Sequence, residues 1–439
     1  MARVDYTLVR ELRTTAAERL RIERRRLAES SGALSADDER ELGRSLIASA
    51  VEEHRRNQLV RVGGVLPPAE DDAALAAAVE AALFGLGRLE PLMSDESIAN
   101  IEINGCDRVW LYRQDGTVER GPAVADSDAE LVEWVRAAAT YAGLSSRPFD
   151  PVNPWLELRL PDGSRLCALM SVVDRPVVSI RCYRLTKVLL GDLRARDAFD
   201  DQLHAFLAAA VLGRCCLMVS GETFAGKTTL LRALGNAIPF EERLVTAEHF
   251  LELGFEHFPD LHRDVVAMEE RLPNAEGSGA LTLLDLVERS RRMNPDRIIV
   301  GEVIGGEIVA MLDAMTQGED GSLSTIHARD SRNVFSRIAT YALTGPHRMP
   351  VEASGMLTAG ALDFVVHLTK ARSPDGRVHR FVSSIREVVG WDGTQVVSSE
   401  VFATPPGALA AVPAAPVSEP RAERLAVAGY TARAWTGAW

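Results

Sequence analysis

The sequence predicts an α/β protein. A parallel sheet flanked by helices follows a smaller α+β region and a helical N-terminal segment. Three observations carry the prediction. A short apolar run, Cys215–Val219, leads into Gly221-Glu222-Thr223-Phe224-Ala225-Gly226-Lys227-Thr228-Thr229, which contains the G-x-x-x-x-G-K-T spacing of a phosphate-binding loop. After that loop, strand-length apolar runs alternate with helical spacing, the order that builds a parallel sheet with its ligand at the strand C-terminal ends. Before it, the runs are short and separated by turns such as Asp115-Gly116 and Pro161-Asp162-Gly163, as in an antiparallel sheet.

Taken in order, residues 1–88 read as helical. Leu8, Leu12, Ala16 and Leu20 recur every four residues and give a narrow apolar stripe. Seven arginines lie between Arg10 and Arg26, interleaved with Glu11, Glu18 and Glu23. Two readings stand: a docking helix for a partner or an anionic membrane surface, and a solvated helix packed on its neighbour. The interleaved glutamates favour the second. Ser35, with Asp38 and Glu39 behind it, starts a second helix through about Asn57. Pro67-Pro68 breaks the chain, and a third helix runs from Asp71 to Phe84, closed by Gly85 and Gly87.

Residues 89–192 form the α+β region. Strands are expected at 98–103, 109–112, 156–160, 166–170 and 177–182, with a helix at 128–142. Residues 193–400 form the parallel-sheet domain, in which helix 199–212 leads into the loop strand. Residues 401–439 are Ala- and Pro-rich and read as a flexible tail, with Trp435 and Trp439 near its end.

The 439 residues allow two to four domains, and a hydrophobic fraction of 46% can build sizeable cores. The net charge of -13 argues against broad, charge-driven nucleic-acid binding, which needs basic surface. No apolar stretch approaches the roughly 20 residues of a membrane span. The N-terminus is charged from Arg3 onward and lacks an apolar leader. The expected location is therefore cytoplasmic. Cys106, Cys167, Cys182, Cys215 and Cys216 form no metal spacing, and the adjacent Cys215-Cys216 in the apolar strand read as reduced, buried small hydrophobes.

In such a loop, inward N–H groups and the helix dipole hold a polyphosphate. Lys227 would reach the β- and γ-phosphates, and the Thr228 hydroxyl would bind Mg²⁺. Three later segments place polar residues on the same sheet edge: a strand ending in Glu248, a strand ending in Glu302, and a glycine turn and strand ending in His327. Phosphoryl transfer needs one carboxylate to position Mg²⁺ and its waters, and Glu302 fits. It needs another to orient or deprotonate the attacking water. Glu248 fits, with Glu302 the alternative. His327 contacts the γ-phosphate or caps its strand. Positive charge from outside the loop has four candidates: Arg159, Arg165 and Arg181 before the sheet domain and Arg271 within it.

Residues 85–400 resemble the secretion-ATPase superfamily, specifically the CpaF-type ATPases of tight-adherence (Flp) pili. Gly221–Leu231 resembles the Walker A motif, Thr246–Leu253 the acidic box, Met293–Gly305 the Walker B motif and Thr316–Ala328 the histidine box. Leu89–Leu92, Ile103–Gly105 and Leu160–Arg165 resemble the domain that precedes the motor. The resemblance implies a RecA-like P-loop ATPase domain after a PAS-like α+β domain, with ATP and Mg²⁺ as cofactors. It also implies a homo-oligomeric, hexameric ring at the inner face of the membrane, driving pilin through an inner-membrane platform protein. The chain departs from the family pattern at Glu222 and Phe224 in the loop, His249 in place of an aspartate, Ile304 in place of an arginine, and Glu319 in place of a first histidine. Those departures imply intact ATP binding with hydrolysis that is slowed if Ile304 and Glu319 remove needed contacts.

Overall fold

The computed structural model describes residues 5–30, 36–62, 69–141, 148–184, 187–274, 276–372 and 378–430. The chain divides into two compact units, one ending at Arg184 and one beginning at Leu185.

The first unit opens with three helices: α1 (Tyr6–Ser30), α2 (Ala36–Val62) and α3 (Ala69–Phe84). Val9, Leu12 and Ala16 of α1 pack on Ile47, Ala50 and Val51 of α2 and Val79 of α3. The α1 arginines face outward and pair with glutamates, Arg21 with Glu18 in its own helix and Arg19 with Glu53 of α2. The helix is therefore packed and solvated rather than a bare basic face. Ser35, Pro67 and Pro68 lie outside the described residues.

Next come α4 (Glu90–Met93), β1 (Ile98–Asn104), β2 (Val109–Arg113), β3 (Val118–Arg120), α5 (Asp128–Tyr141), β4 (Trp155–Arg159), β5 (Arg165–Leu169) and β6 (Val177–Arg181). The strands form one antiparallel sheet in the order β3-β2-β1-β6-β5-β4. Alternation decides its faces. Ile101, Ile103, Leu158, Leu166 and Ile180 point to a core covered by Leu131 and Val135 of α5. The opposite face carries polar, arginine and aromatic side chains.

The second unit contains α6 (Leu190–Ala195), α7 (Asp201–Leu212), β7 (Leu217–Gly221), α8 (Lys227–Gly235), β8 (Arg243–Glu248), β9 (Asp264–Glu269), α9 (Leu283–Ser290), β10 (Arg297–Val303), α10 (Glu307–Thr316), β11 (Leu323–His327), α11 (Asn333–Thr344), α12 (Val351–Ala361), β12 (Phe364–Arg372), β13 (Val378–Trp391), β14 (Val396–Ala403), β15 (Val412–Pro413) and α13 (Glu419–Val427). They build a nine-stranded sheet in the order β15-β14-β13-β12-β7-β11-β10-β8-β9. The six strands from β12 to β9 pair in parallel, and β13 to β15 add an antiparallel wing. Strand β7 is buried along its whole length between β11 and β12, as its apolar run requires.

The expectation of a flexible tail from 401 fails for residues 401–430. Strand β14 extends to Ala403, and α13 returns to cover α7. Tyr430 packs edge-on against Phe206, with ring centroids 5.4 Å apart. Arg421 and Arg424 both reach the Asp363 carboxylate. Five anchors, Val401, Phe402, Ala411, Leu425 and Tyr430, are buried in the α7 core and outweigh the Ala/Pro composition. Trp435 and Trp439 lie outside the described residues.

Candidate nucleotide site

Strand β7 ends at Gly221, and the loop turns through Glu222–Gly226 into α8. A Cβ on Gly221 would meet the Leu368 carbonyl oxygen at 2.6 Å, so only glycine lets the strand lie this close to β12. Gly226 caps α8 in the left-handed region, with φ 97°. Lys227 is therefore the first helical residue, and Thr228 and Thr229 follow in the first turn, where free N–H groups point outward.

Lys227 is 7% exposed, and its ammonium is surrounded. Nζ lies 3.1 and 3.2 Å from the two ring nitrogens of His327, 3.4 Å from the Glu222 carbonyl and 3.8 Å from Glu302 Oε1. His327 ends β11 directly beside Gly221 in register. Its Nε2 sits 2.8 Å from Glu302 Oε1, off the hydrogen-bond axis, so that oxygen has no aligned partner. Burial pushes the His327 pKa down. Glu302 opposes that shift, and the Lys227 charge reinforces it. The structure thus brings together three of the residues singled out in the sequence, Lys227, Glu302 and His327, from α8, β10 and β11.

Glu248 is held elsewhere at the end of β8. It is 2% exposed, and its Oε2 accepts the N–H groups of Glu252 at 2.9 Å and Leu253 at 3.0 Å. Thr246 Oγ1 donates to Oε1 at 3.4 Å. Burial raises its pKa to about 8 despite the two amide donors. That shift favours the protonated form at neutral pH, and the side chain pins the turn after β8.

The arginine candidates separate by position. Arg159, Arg165 and Arg181 are direct cross-strand neighbours on β4, β5 and β6, so the three form one row on the face opposite the core. The register of three strands makes this row, and no local sequence pattern shows it. Arg271 donates through Nε to the Gly279 carbonyl at 2.6 Å and bridges its own loop.

Other residues at the site were not singled out in the sequence. Arg337 of α11 donates to the His327 carbonyl at 3.4 Å. Lys370 and Arg380 donate to the Thr223 and Phe224 carbonyls at 3.1 and 2.9 Å. Glu307 Oε1 accepts the N–H groups of Ile304 at 2.6 Å and Gly305 at 2.7 Å, shaping the turn after β10. Glu319 precedes β11 and so lies at the opposite, N-terminal edge of the sheet, 3.9 Å from Arg291. The replacement there does not touch the phosphate loop.

The model of the type II/IV secretion system protein family (T2SSE) matches residues 83–396. A Mycobacterium tuberculosis (strain H37Rv) protein named, provisionally, for conjugal transfer is 32% identical over 317 residues, which cover 70% of this chain and 86% of that protein. Protein VirB11 of Agrobacterium fabrum is 31% identical over 312 residues, covering 63% of this chain and 87% of its own length. Among solved structures, the VirB11 ATPase of the Brucella suis type IV secretion system shares 27% identity, covers 70% of this chain and 96% of that one, and has a TM-score of 0.37. The Legionella pneumophila ATPase DotB shares 17% identity over 69% of this chain and 80% of that one, with a TM-score of 0.48. With the family match spanning most of its length and a relative above 30% identity, the chain belongs to the type II/IV secretion ATPase family.

Proposed function

We propose that this protein is an ATP-hydrolysing motor that powers assembly of a tight-adherence or type IV-like pilus, or a related secretion step, across the inner membrane. The observation that carries the reading is the cluster of Lys227, Glu302 and His327 at the mouth of a glycine-bounded loop, all on one sheet edge. The residues fit a nucleoside triphosphate. The α8 N-terminus is open at Thr228, Lys227 is poised, and Glu302 carries a buried oxygen with no aligned donor. They also fit Mg²⁺. Among the described residues no group of three or more His, Cys, Asp or Glu could cage a metal. Mg²⁺ is commonly held by one or two protein oxygens together with substrate phosphates, and Thr228 and Glu302 are the residues that would hold it here.

Bound ATP supplies the phosphoanhydride whose hydrolysis releases energy. Lys227 leaves the imidazole of His327 for phosphate oxygens, which frees the Glu302 carboxylate to take a proton from the attacking water. His327, kept neutral by burial and by Lys227, holds a hydrogen bond to phosphate without adding repulsion toward Lys227. Glu248 is buried, with its pKa raised, and is engaged by backbone amides, which favours Glu302 as the base and leaves Glu248 to hold the turn. The Arg159–Arg165–Arg181 row, three cross-strand neighbours on one face, is the candidate anion-facing surface of the first unit in this reading.

The motor is proposed to act as a homo-oligomeric ring, a hexamer, on a membrane platform protein at the cytoplasmic face, with pilin as indirect cargo. No helix among the described residues is long and apolar enough to cross a membrane. The test is Mg²⁺-dependent phosphate release across a protein concentration series, beside Lys227→Ala. Turnover that rises with assembly and vanishes in the variant is expected. Unchanged nucleotide affinity in Lys227→Ala would remove the phosphate-loop assignment. A conjugation or type IV secretion role is the second reading, favoured by the names that the relatives carry. Deleting the gene separates them: loss of surface pili supports the first, and loss of plasmid transfer with pili intact supports the second.

A further inference from the structure

We infer that the β12–β13 hairpin belongs to the nucleotide machinery, with Lys370 and Arg380 as positioning residues that hold the phosphate loop from behind in its nucleotide-accepting shape. The inference rests on the proposal that the loop binds ATP. Strand β12 runs in register with β7 as far as the pair Leu368 and Gly221, then continues through Thr369–Arg372 past the point where β7 turns into the loop. Lys370 and Arg380 are direct cross-strand partners in this extension. Two like charges directly opposite destabilise a hairpin unless both find acceptors. Both do, and on adjacent loop residues. Lys370 Nζ donates to the Thr223 carbonyl at 3.1 Å, and Arg380 Nε to the Phe224 carbonyl at 2.9 Å.

Those carbonyls need holding. Phe224 adopts φ 63°, the left-handed region that a bulky residue enters only under constraint. The residue is 63% exposed, so packing of the ring does not supply the constraint. The Arg380 stem does lie along the loop, because a Cβ on Gly226 would sit 3.8 Å from its Cδ. Donors on the outward carbonyls also polarise the peptide groups whose N–H bonds belong to Phe224 and Ala225, strengthening them as donors. Where this loop has a phenylalanine instead of a small residue, the hairpin does the work that glycine would do by having no Cβ.

The experiment uses the full chain and measures ATP affinity by titration, thermal unfolding, and the split of turnover into kcat and KM. Arg380→Ala and the double variant Lys370→Ala/Arg380→Ala are expected to weaken ATP binding about tenfold, the scale of one residue's left-handed penalty. The loss should fall on KM more than on kcat, with the melting temperature held. Adding Phe224→Gly to Arg380→Ala should restore most of the affinity, because glycine takes the left-handed conformation freely. Wild-type affinity in the double variant overturns the inference, and so does a loss that Phe224→Gly leaves untouched. Lys227→Ala in the same titration separates the two levels. If it binds ATP as well as the wild type does, the nucleotide reading fails. If it loses binding while the double variant keeps it, the hairpin inference alone fails.

Discussion

Glu248→Gln tests whether a buried carboxyl holds the turn after β8 in its neutral form. Burial raises the group from 4.5 to about 8, against the opposing pull of the Glu252 and Leu253 amides. The folded protein therefore keeps a proton that the unfolded chain releases near pH 4.5. Its contribution to stability is fully present below that pH, falls as pH rises toward about 8, and is constant above. The whole shift corresponds to about 5 kcal/mol. Most of it has been lost by pH 7, and about 1 kcal/mol more is lost between pH 7 and pH 9. Glutamine keeps an oxygen that accepts the two amides and carries no charge. Urea unfolding of the full chain, followed by circular dichroism at pH 7, 8 and 9, should show the variant gaining about 1 kcal/mol on the wild type across that window. Parallel stability curves would refute the titration. Phosphate release gives a second reading of the same variant. If the neutral carboxyl only holds the turn, turnover stays within a few-fold. A loss of about a hundredfold or more with stability intact, the scale of a missing general base, would return the base role to Glu248.

Glu302→Gln should lower kcat by about a hundredfold or more while ATP binds at least as tightly, so that filter binding recovers nucleotide trapped on the protein; undiminished turnover would show that Glu302 is not the base. Tyr430→Ala removes the ring that packs edge-on against Phe206 and should cost about 3 kcal/mol, lowering the melting temperature of the second unit in calorimetry. An unchanged transition would mean that residues 401–430 do not pack in solution.

Much of the fold was legible because its signals are local. The apolar runs at 217–221, 244–248, 297–303 and 323–327 and the glycine spacing of the loop each lie within ten residues, and together they place Lys227, Glu302 and His327 on one edge. What stayed hidden depends on register or on distant chain. The arginine row exists only because β4, β5 and β6 pair as they do, and a one-residue slip would disperse it. Lys370 and Arg380 reach the loop from about 150 residues away, and nothing near either one marks it. The Ala/Pro-rich end folds against expectation because five buried anchors decide its packing, and composition averages them away. Glu248 was legible as a strand-end carboxylate, but its burial was not, since that depends on the turn folding back so that the Glu252 and Leu253 amides reach it.

The two departures that question hydrolysis have different weight once each is placed. Glu319 stands before β11, at the edge away from Lys227, and pairs with Arg291. Nothing at the phosphate loop is lost with the histidine that the family pattern has there. Ile304 follows β10 on the edge of the loop itself and is 49% exposed, so an arginine at this place would add a cation on the working side. That edge keeps cations from other elements. Arg337 lies against the His327 backbone, and Lys370 and Arg380 lie against the loop. The turn that carries Ile304 is still shaped by Glu307, which takes both exposed amides. The buried Lys227 ammonium is set between His327 and the Glu302 carboxylate, where a bound phosphate would take over its charge. Such a cluster costs desolvation unless a ligand repays it. The arrangement keeps the residues an ATP-binding subunit needs, and phosphate release by the full chain separates an active motor from a subunit that only binds nucleotide.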